Sequence, residues 1–383
     1  MNVLVIGGTG VLSTDVCRQA AEKGFSVYAL NRGRRKHLLD PAAQLITADV
    51  KNEPAGAVRE KLGGFFFDTV IDFIAFTAED VRKHLEIVSG KCGQFILVSS
   101  AAVYLRDGSG RITDESPVGN RQWGYARNKC LCEERLKETF AEHCENWTIV
   151  RPYVTYNDTR IPYPMNSDDN WTLVNRILHG KPVVVWDDGE AKCTITHARD
   201  FAAGAVGLFG NERAYGQSFN TTSDCVLNWK EVLEGIIEAA GCTADIERIP
   251  LSRIVAVLPE YRWFTEANKG VDMIIDSGKL RTVVPESGTG IPFEQGIRST
   301  VEFFRNHREL QKVDYRWEGR MDHLLRKHCR ENGRREMIRK LNLRGYDAGF
   351  REKVTYRLYR NTAAYTLVRV CRKCRRAAGK LLR

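Results

Sequence analysis

Asn2-Val-Leu-Val-Ile-Gly-Gly-Thr-Gly-Val-Leu-Ser13 opens the chain, and this stretch decides the fold. The apolar run Val3–Ile6 predicts a strand buried on both faces, and Thr14–Lys23 predicts the helix that follows it. Gly7 and Gly10 fall in the turn between them, where the backbone can approach an anion because no side chain intervenes. The amides and the positive end of the new helix point at that anion. The pattern indicates a dinucleotide-binding turn, with a plain strand–helix turn as the alternative.

The spacing of this turn departs from the common G-x-G-x-x-G. It reads Gly7-x-x-Gly10-x-x-Ser13, so a serine stands at the third position, where strand and helix pack closely. The sequence therefore predicts a variant of the turn, and its identification depends on the residues that follow.

Apolar runs and helical stretches alternate through residues 1–155. Further strands are predicted at Ser26–Leu30, Gln44–Ile46, Thr69–Phe73, Gln94–Val98 and Trp147–Val150, and helices at Ala78–Val88 and Lys129–Phe140. This alternation predicts an α/β fold with a doubly wound parallel sheet.

The predicted pattern of secondary structure changes after Arg151-Pro152. Longer irregular stretches are predicted at Ile161–Asn170 and Trp186–Ile195, between helices at Trp171–Leu178, Asn228–Ala240 and Phe293–Asn306. A smaller, loop-rich substrate-binding lobe fits this pattern.

The net charge of +10 is distributed unevenly. Residues 313–383 hold 21 Lys and Arg against 7 Asp and Glu, whereas the rest of the chain has a net charge of −4. The basicity therefore belongs to the C-terminal region, and the chain divides near residue 312. We predict a dinucleotide-binding domain over 1–155, to which later segments return, a mainly substrate-binding lobe over 156–312, and a basic helical extension over 313–383.

The C-terminal extension has the periodicity of a basic amphipathic helix. Its apolar face comprises Tyr356, Tyr359, Ala363, Leu367, Val370 and Cys374, and its basic side comprises Arg357, Arg369, Arg372, Lys373, Arg375, Arg376 and Lys380. Such a helix suits an anionic membrane surface, where each cation adds about 1 kcal/mol. We predict peripheral attachment, with nucleic-acid contact, docking on an acidic partner or simple solvation as the alternatives.

The sequence argues against a membrane-spanning protein and against a secreted one. No run approaches the roughly 18 apolar residues of a membrane span, and the first strand leaves no room for a signal peptide, so a cytoplasmic protein is expected. The 11 Cys are scattered, as is typical of a reducing compartment. Cys130-x-Cys132 and Cys371-x-x-Cys374 lack a second pair at zinc spacing, so no metal site is predicted.

Ser100, Tyr125 and Lys129 form the candidate catalytic set. Val98-Ser-Ser100-Ala-Ala-Val-Tyr104 ends a predicted strand, and Tyr125-Ala-Arg-Asn-Lys129 enters a helix, where residues four apart share a face. An ammonium group beside a phenol lowers the pKa of that phenol, which makes a tyrosine a usable acid or base. The Ser100 hydroxyl can bind the same substrate oxygen. An ordinary solvated Tyr–Lys pair is the alternative, but it leaves the serine and the glycine turn unexplained.

Together these motifs resemble the short-chain dehydrogenase/reductase superfamily, in its extended, nucleotide-sugar epimerase/dehydratase-like branch. The resemblance covers about residues 1–306 and also rests on Asp49-Val50, Arg151-Pro152 and the stretch from Asp188-Gly189 through His197 to Asp200. It implies a Rossmann-type sheet and an enzyme in which Ser100, Tyr125 and Lys129 are catalytic. The cofactor contacts that it implies are Gly7, Thr9, Gly10, Val11, Leu12, Asn31, Arg32, Asp49, Val50, Ala75, Lys129, Pro152 and Tyr153.

Three departures from this branch bear on cofactor and substrate. Members that use NAD typically have an acidic residue at the end of the second strand, whereas this chain has Asn31-Arg32, and Arg32 can pair with a 2′-phosphate. NADP(H) is therefore predicted, with NAD(H) as the alternative. Ala101-Ala102 replace the acidic pair of sugar 4,6-dehydratases, which leaves keto reduction or epimerisation. Cys193, beside Lys192, stands where the branch usually has an arginine that meets the nucleotide diphosphate, which argues against a nucleotide-sugar substrate. The predicted substrate is a nucleotide-linked or lipid-linked sugar.

The predicted activity is that of an NADP(H)-dependent oxidoreductase or epimerase of a sugar, peripheral at the inner membrane surface. Candidate substrate contacts are Tyr104, Trp123, Tyr156, Asn170, Trp171, Lys192 and His197, with core positions for Trp171 and His197 as the alternative. A non-catalytic scaffold that binds RNA or a partner through the basic extension is the competing interpretation. The intact catalytic set favours the enzyme, for which no nucleic-acid partner is predicted. A homodimer is compatible with the branch.

Overall fold

The structure, a computed structural model, describes residues 1–105, 110–267, 269–288, 290–361 and 364. The strands are β1 (Asn2–Ile6), β2 (Ser26–Asn31), β3 (Gln44–Thr47), β4 (Phe67–Asp72), β5 (Cys92–Val98), β6 (Arg111–Ile112), β7 (Asn146–Arg151), β8 (Val154–Tyr156), β9 (Val183–Trp186), β10 (Lys192–His197), β11 (Gln217–Asn220), β12 (Val226–Asn228), β13 (Ile246–Ile249) and β14 (Ile274–Ile275). The helices are α1 (Ser13–Glu22), α2 (Ala55–Lys61), α3 (Ala78–Val88), α4 (Gly124–Thr139), α5 (Trp171–Leu178), α6 (Ala198–Gly207), α7 (Trp229–Ala239), α8 (Leu251–Val257), α9 (Arg262–Glu266), α10 (Gly278–Val283), α11 (Phe293–Asn306), α12 (Tyr315–Glu331), α13 (Arg335–Lys340) and α14 (Phe350–Arg360).

Seven parallel strands form the central sheet, in the order β11-β7-β5-β4-β1-β2-β3. Strand β1 pairs with β2 on one side and with β4 on the other, so the order of the chain reverses there. In such sheets ligands bind at the carboxyl ends of the strands beside this reversal. The predicted α/β fold with a Rossmann-type doubly wound sheet is confirmed.

Strand β1 is buried on both faces, as its apolar run predicts. Val3 and Val5 belong to a core cluster with residues of α1 and α6, whereas Leu4 and Ile6 belong to a second cluster with residues of α2, α3 and α4. All four side chains are fully buried. Because successive side chains of a strand point to opposite faces, helices on both sides are needed to bury such a run.

The described chain forms two compact units. Unit 1 comprises residues 1–162, 191–228 and 266–296, and unit 2 comprises residues 163–190, 229–265 and those from 297 onward. These limits differ from the predicted ones, 1–155, 156–312 and 313–383. The change in charge near residue 312 is not a boundary, because α12 to α14 are part of unit 2.

A buried network of four charges ties α12 into unit 2. Arg176 of α5 donates to Glu318 Oε2 at 2.7 Å and to Asp322 Oδ1 at 2.8 Å. The Lys181 ammonium lies 2.7 Å from Glu318 Oε2 and 2.8 Å from Asp322 Oδ2. None of the four residues is more than 1% exposed. Because two cations face two carboxylates, the network is neutral overall, which such burial requires.

The predicted amphipathic C-terminal helix agrees with the structure only in part. Tyr356 and Tyr359 lie on α14 and are buried within unit 2, so they are core residues and not part of a membrane-facing surface. Arg357 is exposed on the same helix. Ala363, Leu367, Arg369, Val370, Arg372, Lys373, Cys374, Arg375, Arg376 and Lys380 lie outside the described residues. Within the described ranges, no helix combines the length and apolar character needed to cross a membrane.

Candidate active site

The glycine turn after β1 is closed by the side chain of Ser13. Its hydroxyl donates to the Gly7 carbonyl at 2.7 Å and accepts from the Gly10 amide at 2.7 Å. Gly7 has φ +90°, and a β-carbon there would lie 2.5 Å from Ile74 Cγ2. Only glycine therefore fits at this position. The serine at the third position of the motif holds the turn together while α1 packs against β1.

Residues around this turn fit a dinucleotide. The Asn157 side chain donates to the Val11 carbonyl at 3.0 Å, which fixes the entry to α1. At the end of β2, Asn31 Oδ1 accepts from the Gly33 amide, while Asn31 Nδ2 is buried without a hydrogen-bond partner in the described part of the chain. An unpartnered buried donor is costly, and a ribose hydroxyl would satisfy it. The neighbouring Arg32 side chain is exposed.

The remaining predicted cofactor residues cluster after other strands of the same sheet. Asp49 follows β3, and its carboxylate accepts from the backbone amides of Lys51 and Asn52 and from the Asn52 side chain. The Asn52 side chain, with a smaller effect from Arg32, lowers the pKa of Asp49. Val50 and Ala75 are buried, and the Pro152 carbonyl accepts from the Ala101 amide. Thr9, Gly10 and Leu12 lie in the turn itself, and Tyr153 accepts a hydrogen bond from Lys269 at 3.2 Å.

The structure brings Ser100 and Tyr125 together. Ser100 follows β5 and Tyr125 is the second residue of α4, and the Ser100 hydroxyl lies near enough to Tyr125 to lower the pKa of the phenol. One turn along α4, the Lys129 ammonium donates to the carbonyls of Ala75 and Val98, both at 2.8 Å. Two of its three hydrogens are thereby used by the backbone, which fixes the ammonium beside the strand ends.

Burial dominates the electrostatics of this set. It raises the pKa of Tyr125, and the neighbouring Ser100 offsets only part of that effect. Burial likewise lowers the pKa of Lys129. Contrary to expectation, Lys129 is not among the groups that shift the pKa of Tyr125 in this structure, where burial has the larger effect. Tyr125 is consequently protonated at neutral pH.

A buried carboxylate holds the catalytic elements to one another. Glu133, two turns after Tyr125 on α4, accepts from the Ser99 hydroxyl at 2.6 Å and from Arg151 at 2.9 and 2.6 Å. Ser99 precedes Ser100, and Arg151 ends β7 just before Pro152. Arg151, the first residue of the Arg151-Pro152 motif, therefore positions the ends of β5 and β7 against α4.

A second buried pair, Asp72 and His84, was not among the predicted site residues. Asp72 ends β4, lies 2.6 Å from His84 Nδ1 on α3, and accepts from the amides of Ile74 and Ala75. It thus fixes the segment whose Ala75 carbonyl holds Lys129. The available signal was an acidic residue inside the apolar run Thr69–Phe73, since a buried carboxylate needs partners.

This pair predicts a pH-dependent contribution to stability. Burial opposes both charges, but each group favours the charged form of the other, so the pKa of Asp72 is lowered and that of His84 is raised. The Asp72 contribution is lost as pH falls through its folded-state pKa, and the His84 contribution is lost as pH rises above about 6.5 through its own. We expect the difference in unfolding free energy between wild type and His84→Asn to be largest between about pH 4 and 6.5.

Urea unfolding from pH 4 to 9 measures this difference. The cavity left by His84→Asn costs the same at every pH, so only the ionic part varies. The exposed His37→Asn serves as the matched control. A difference for His84→Asn that does not change with pH would contradict the assignment of a charged pair.

The predicted substrate residues are placed in different surroundings. Trp123 lies in unit 1 directly before α4, with its ring centroid 5.0 Å from that of Tyr125. Lys192 is exposed at the start of β10. Asn170 and Trp171 lie in unit 2, where Trp171 is buried and packs on Phe304. Trp123 is therefore the predicted substrate residue that the structure places at the tyrosine.

Tyr104, Tyr156 and His197 are buried. The Tyr104 hydroxyl donates to Asn220 Oδ1 at 2.8 Å and accepts from Arg151 at 2.9 Å. His197 Nδ1 accepts from the Arg199 amide and caps α6, and burial lowers the pKa of His197 to about 4. The Tyr156 ring packs edge-on against the His197 ring, and its hydroxyl is buried without a hydrogen-bond partner in the described part of the chain. The assignment of these three residues as substrate contacts stays a prediction.

The site contains a further aromatic side chain that sequence reasoning missed. Phe76 follows Ala75, is 50% exposed, and has its ring centroid 4.8 Å from the Lys129 ammonium. Its half-exposed ring offers a flat apolar surface beside that ammonium. Across the described residues, no group of three or more His, Cys, Asp or Glu is arranged to hold a metal ion.

Two curated proteins are similar to this chain in sequence. The chain is 24% identical over 286 residues to 2′-dehydrokanamycin reductase of Streptomyces kanamyceticus, covering 74% of this chain and 79% of that protein. It is 24% identical over 252 residues to the chloroplast stem-loop binding protein of 41 kDa b of Arabidopsis thaliana, covering 62% of this chain and 63% of that protein, which is less than two thirds of its length.

Solved structures share the fold at low sequence identity. UDP-glucuronic acid 4-epimerase from Bacillus cereus in complex with NAD aligns with a TM-score of 0.62 and 17% identity, covering 83% of this chain and all of that one. A short-chain dehydrogenase/reductase superfamily protein from Agrobacterium tumefaciens with bound NAD aligns with a TM-score of 0.61 and 16% identity, covering 82% and 100%. The family model of the NAD dependent epimerase/dehydratase family matches residues 3–220, more than half of the chain. With its doubly wound sheet and glycine turn, this chain belongs to the NAD-dependent epimerase/dehydratase family.

Proposed function

We propose that this chain is an NADP(H)-dependent oxidoreductase or epimerase that acts on a sugar, nucleotide-linked or lipid-linked. The observation that carries the proposal is the placement of Ser100 beside Tyr125, one helical turn from a Lys129 ammonium fixed by two carbonyls. An acid or base, a second hydroxyl and a cation are thereby grouped beside the strand ends where ligands bind in this fold.

The residues support proton transfer to a sugar oxygen. When bound, the nicotinamide supplies or accepts hydride at the carbon that carries this oxygen. Tyr125 donates its proton to the oxygen in the direction of reduction and removes it in the direction of oxidation, while Ser100 orients the phenol. Lys129 uses its remaining hydrogen towards the ribose and keeps a positive charge near the oxygen as negative charge develops.

Two features favour reduction of a keto group over other outcomes. The raised pKa of Tyr125 keeps it protonated, which suits donation to an oxygen that is gaining charge. Ala101 and Ala102 are buried and offer no acid or base for loss of water. The similarity to a reductase of a dehydrokanamycin supports a sugar-like keto substrate.

NADP(H) preference is tested at Arg32. We expect Arg32→Ala to weaken NADPH binding by about 10- to 100-fold, because one hydrogen-bonded charge pair with the 2′-phosphate contributes about 1.5–3 kcal/mol. Binding of NADH, which lacks that phosphate, should not change. Isothermal titration calorimetry with each cofactor measures both affinities.

Arg35→Ala is the matched control, since Arg35 is an exposed arginine of the same loop. Equal effects of Arg32→Ala on NADPH and NADH would assign the arginine a role unrelated to the 2′-phosphate. If the wild-type protein binds NADH more tightly than NADPH, NAD(H) replaces NADP(H) as the proposed cofactor.

An RNA-binding scaffold is the second candidate, and the similarity to a stem-loop binding protein favours it. It predicts salt-dependent RNA binding without any cofactor binding, because phosphate contacts release counterions. Filter binding of a stem-loop RNA at several salt concentrations, beside the calorimetry, separates the two. Cofactor binding with weak, unspecific RNA binding supports the enzyme.

The cytoplasmic location, membrane attachment and homodimer remain part of the proposal. Helices α12, α13 and α14 all belong to unit 2. A deletion that spares the core of this unit must therefore begin after α14. We expect deletion of residues 362–383 to reduce co-sedimentation with anionic vesicles. Undiminished binding would remove the C-terminal segment as the anchor.

A further inference from the structure

Cations converge in a cleft between α12 and α14 of unit 2, whereas the residues proposed for catalysis belong to unit 1. The cleft has a volume of about 770 Å³ and is lined by His323, Arg326, Lys327, Arg330, Glu331, Arg357, Arg360 and Asn361. Five of these residues are Arg or Lys and one is a carboxylate. The positions 323, 326, 327 and 330 share one face of α12, because they follow helical spacing.

The two helices approach closely enough for their basic faces to meet. A β-carbon on Gly319 would lie 2.7 Å from the Tyr356 carbonyl oxygen and 2.9 Å from Tyr359 Cβ, so only glycine permits this contact. The buried Tyr356 and Tyr359 rings fix α14 on α12. With this packing, Arg357 and Arg360 face the cleft together with the cations of α12.

The charges of the cleft are poorly compensated. Its carboxylate, Glu331, is ion-paired with Arg253 outside the cleft. Within the described ranges, no carboxylate lies within 4.0 Å of Arg326, Lys327 or Arg330. Neighbouring arginines of this unit are paired, Arg320 with Glu260 and Arg334 with Glu247.

Two observations show that this arrangement costs free energy in the protein alone. Burial, followed by repulsion from Arg360 and Arg330, lowers the pKa of Arg326. Arg360 Nε is buried without a hydrogen-bond partner in the described part of the chain. Like charges gathered in a concave site raise the local potential, which attracts an anion of matching size.

We propose that this cleft binds an anion with at least two phosphoryl groups, through the arginines of α12 and α14. Arginine is suited to this chemistry because its planar guanidinium donates two parallel hydrogen bonds to phosphate oxygens. The phosphoryl groups belong to a free oligophosphate ester or to a phospholipid headgroup.

Calorimetric titration of the full chain with sodium tripolyphosphate at low ionic strength tests the proposal. We expect the double variant Arg326→Gln/Arg330→Gln to weaken binding by about 100-fold or more, since each lost charge-assisted contact weakens binding by about tenfold or more. Arg335→Gln/Arg339→Gln, two exposed residues of α13, is the control with the same change in charge. The control should not change the affinity by more than about twofold.

A second arm identifies the source of the phosphoryl groups. Vesicles with 30% cardiolipin, whose headgroup carries two phosphate groups, are sedimented with wild type and with the cleft variant, in the absence and presence of tripolyphosphate. If wild type sediments with the vesicles, the cleft variant does not, and tripolyphosphate prevents the sedimentation, the ligand is a phospholipid headgroup. If wild type binds tripolyphosphate but does not sediment with the vesicles, the ligand is a free oligophosphate. Arg357→Gln is tested in parallel, so a folding defect of one variant does not decide the result. Absence of tripolyphosphate binding to wild type, or equal losses in the cleft and α13 variants, overturns the proposal.

Discussion

Tyr125→Phe should lower kcat by about 10²- to 10⁴-fold and leave cofactor affinity unchanged. The substitution removes a single oxygen from a ring that packs against Trp123, so the surroundings remain filled. It takes away the proton that the sugar oxygen requires. Because the loss appears only when the oxygen gains or releases charge, kcat and kcat/KM should fall together.

Single-turnover oxidation of bound NADPH with a panel of keto sugars measures the effect. Tyr215→Phe, which removes a hydroxyl elsewhere in unit 1, is the matched control and should retain full turnover. Calorimetry on the same samples shows whether the cofactor still binds. Full activity of Tyr125→Phe would require another proton donor and would remove the proposed mechanism.

Glu318→Ala should destabilise the protein by about 3–5 kcal/mol. Glu318 accepts from Arg176 and Lys181 at 2.7 Å and from the Tyr346 hydroxyl at 3.1 Å, all at buried sites. Without it, Asp322 remains as the carboxylate for two buried cations. Burial opposes ionisation of Asp322, but Lys181 and Arg176 keep its pKa lowered, so it is charged already and has no further compensation to offer.

Chemical unfolding at neutral pH measures this loss, with Glu336→Ala on the exposed side of α13 as the control. The control should remain within about 0.5 kcal/mol of wild type. Glu318→Gln keeps the shape and one acceptor, and should fall between the two. A loss below about 1 kcal/mol for Glu318→Ala would show that the network is hydrated or rearranges.

Local pattern was sufficient for the elements that have local causes. The predicted Ala78–Val88 is the observed α3, because Thr77 and Asp80 form a capping box at its start. Helix α4 begins at Gly124, before the predicted start at Lys129, since its first turn carries Tyr125 and lacks apolar periodicity. The residues with special chemistry thus lie where the pattern is weakest.

Long-range partners were beyond the reach of the sequence. Lys192–His197 was predicted to be partly irregular and is strand β10, because its threonines are buried by partners distant in the chain. Thr194 Oγ1 accepts from the Ile275 amide, and Thr196 Oγ1 accepts from the Ser223 amide. When the partner of a threonine is not known, the sequence predicts an exposed position for it.

The catalytic set and the turn could be predicted as residue types, but their surroundings could not. Ser100 and Tyr125 meet as the motif requires. The buried state of Tyr104 depends on Asn220 and Arg151, and that of Trp171 depends on Phe304, contacts that no spacing reveals. Likewise the burial of the α12 carboxylates depends on cations that lie more than a hundred residues earlier in the chain.

Both units are assembled from three separate stretches of chain, and this sets the order in which they can form during synthesis. Arg176 and Lys181 leave the ribosome well before Glu318 and Asp322 are made, so their final burial must wait until most of the polypeptide has emerged. Strand β11 likewise joins the sheet beside β7 only after unit 2 has begun. Nascent chains halted before residue 322 should therefore be held open and be readily cleaved by protease, whatever the state of the first five strands.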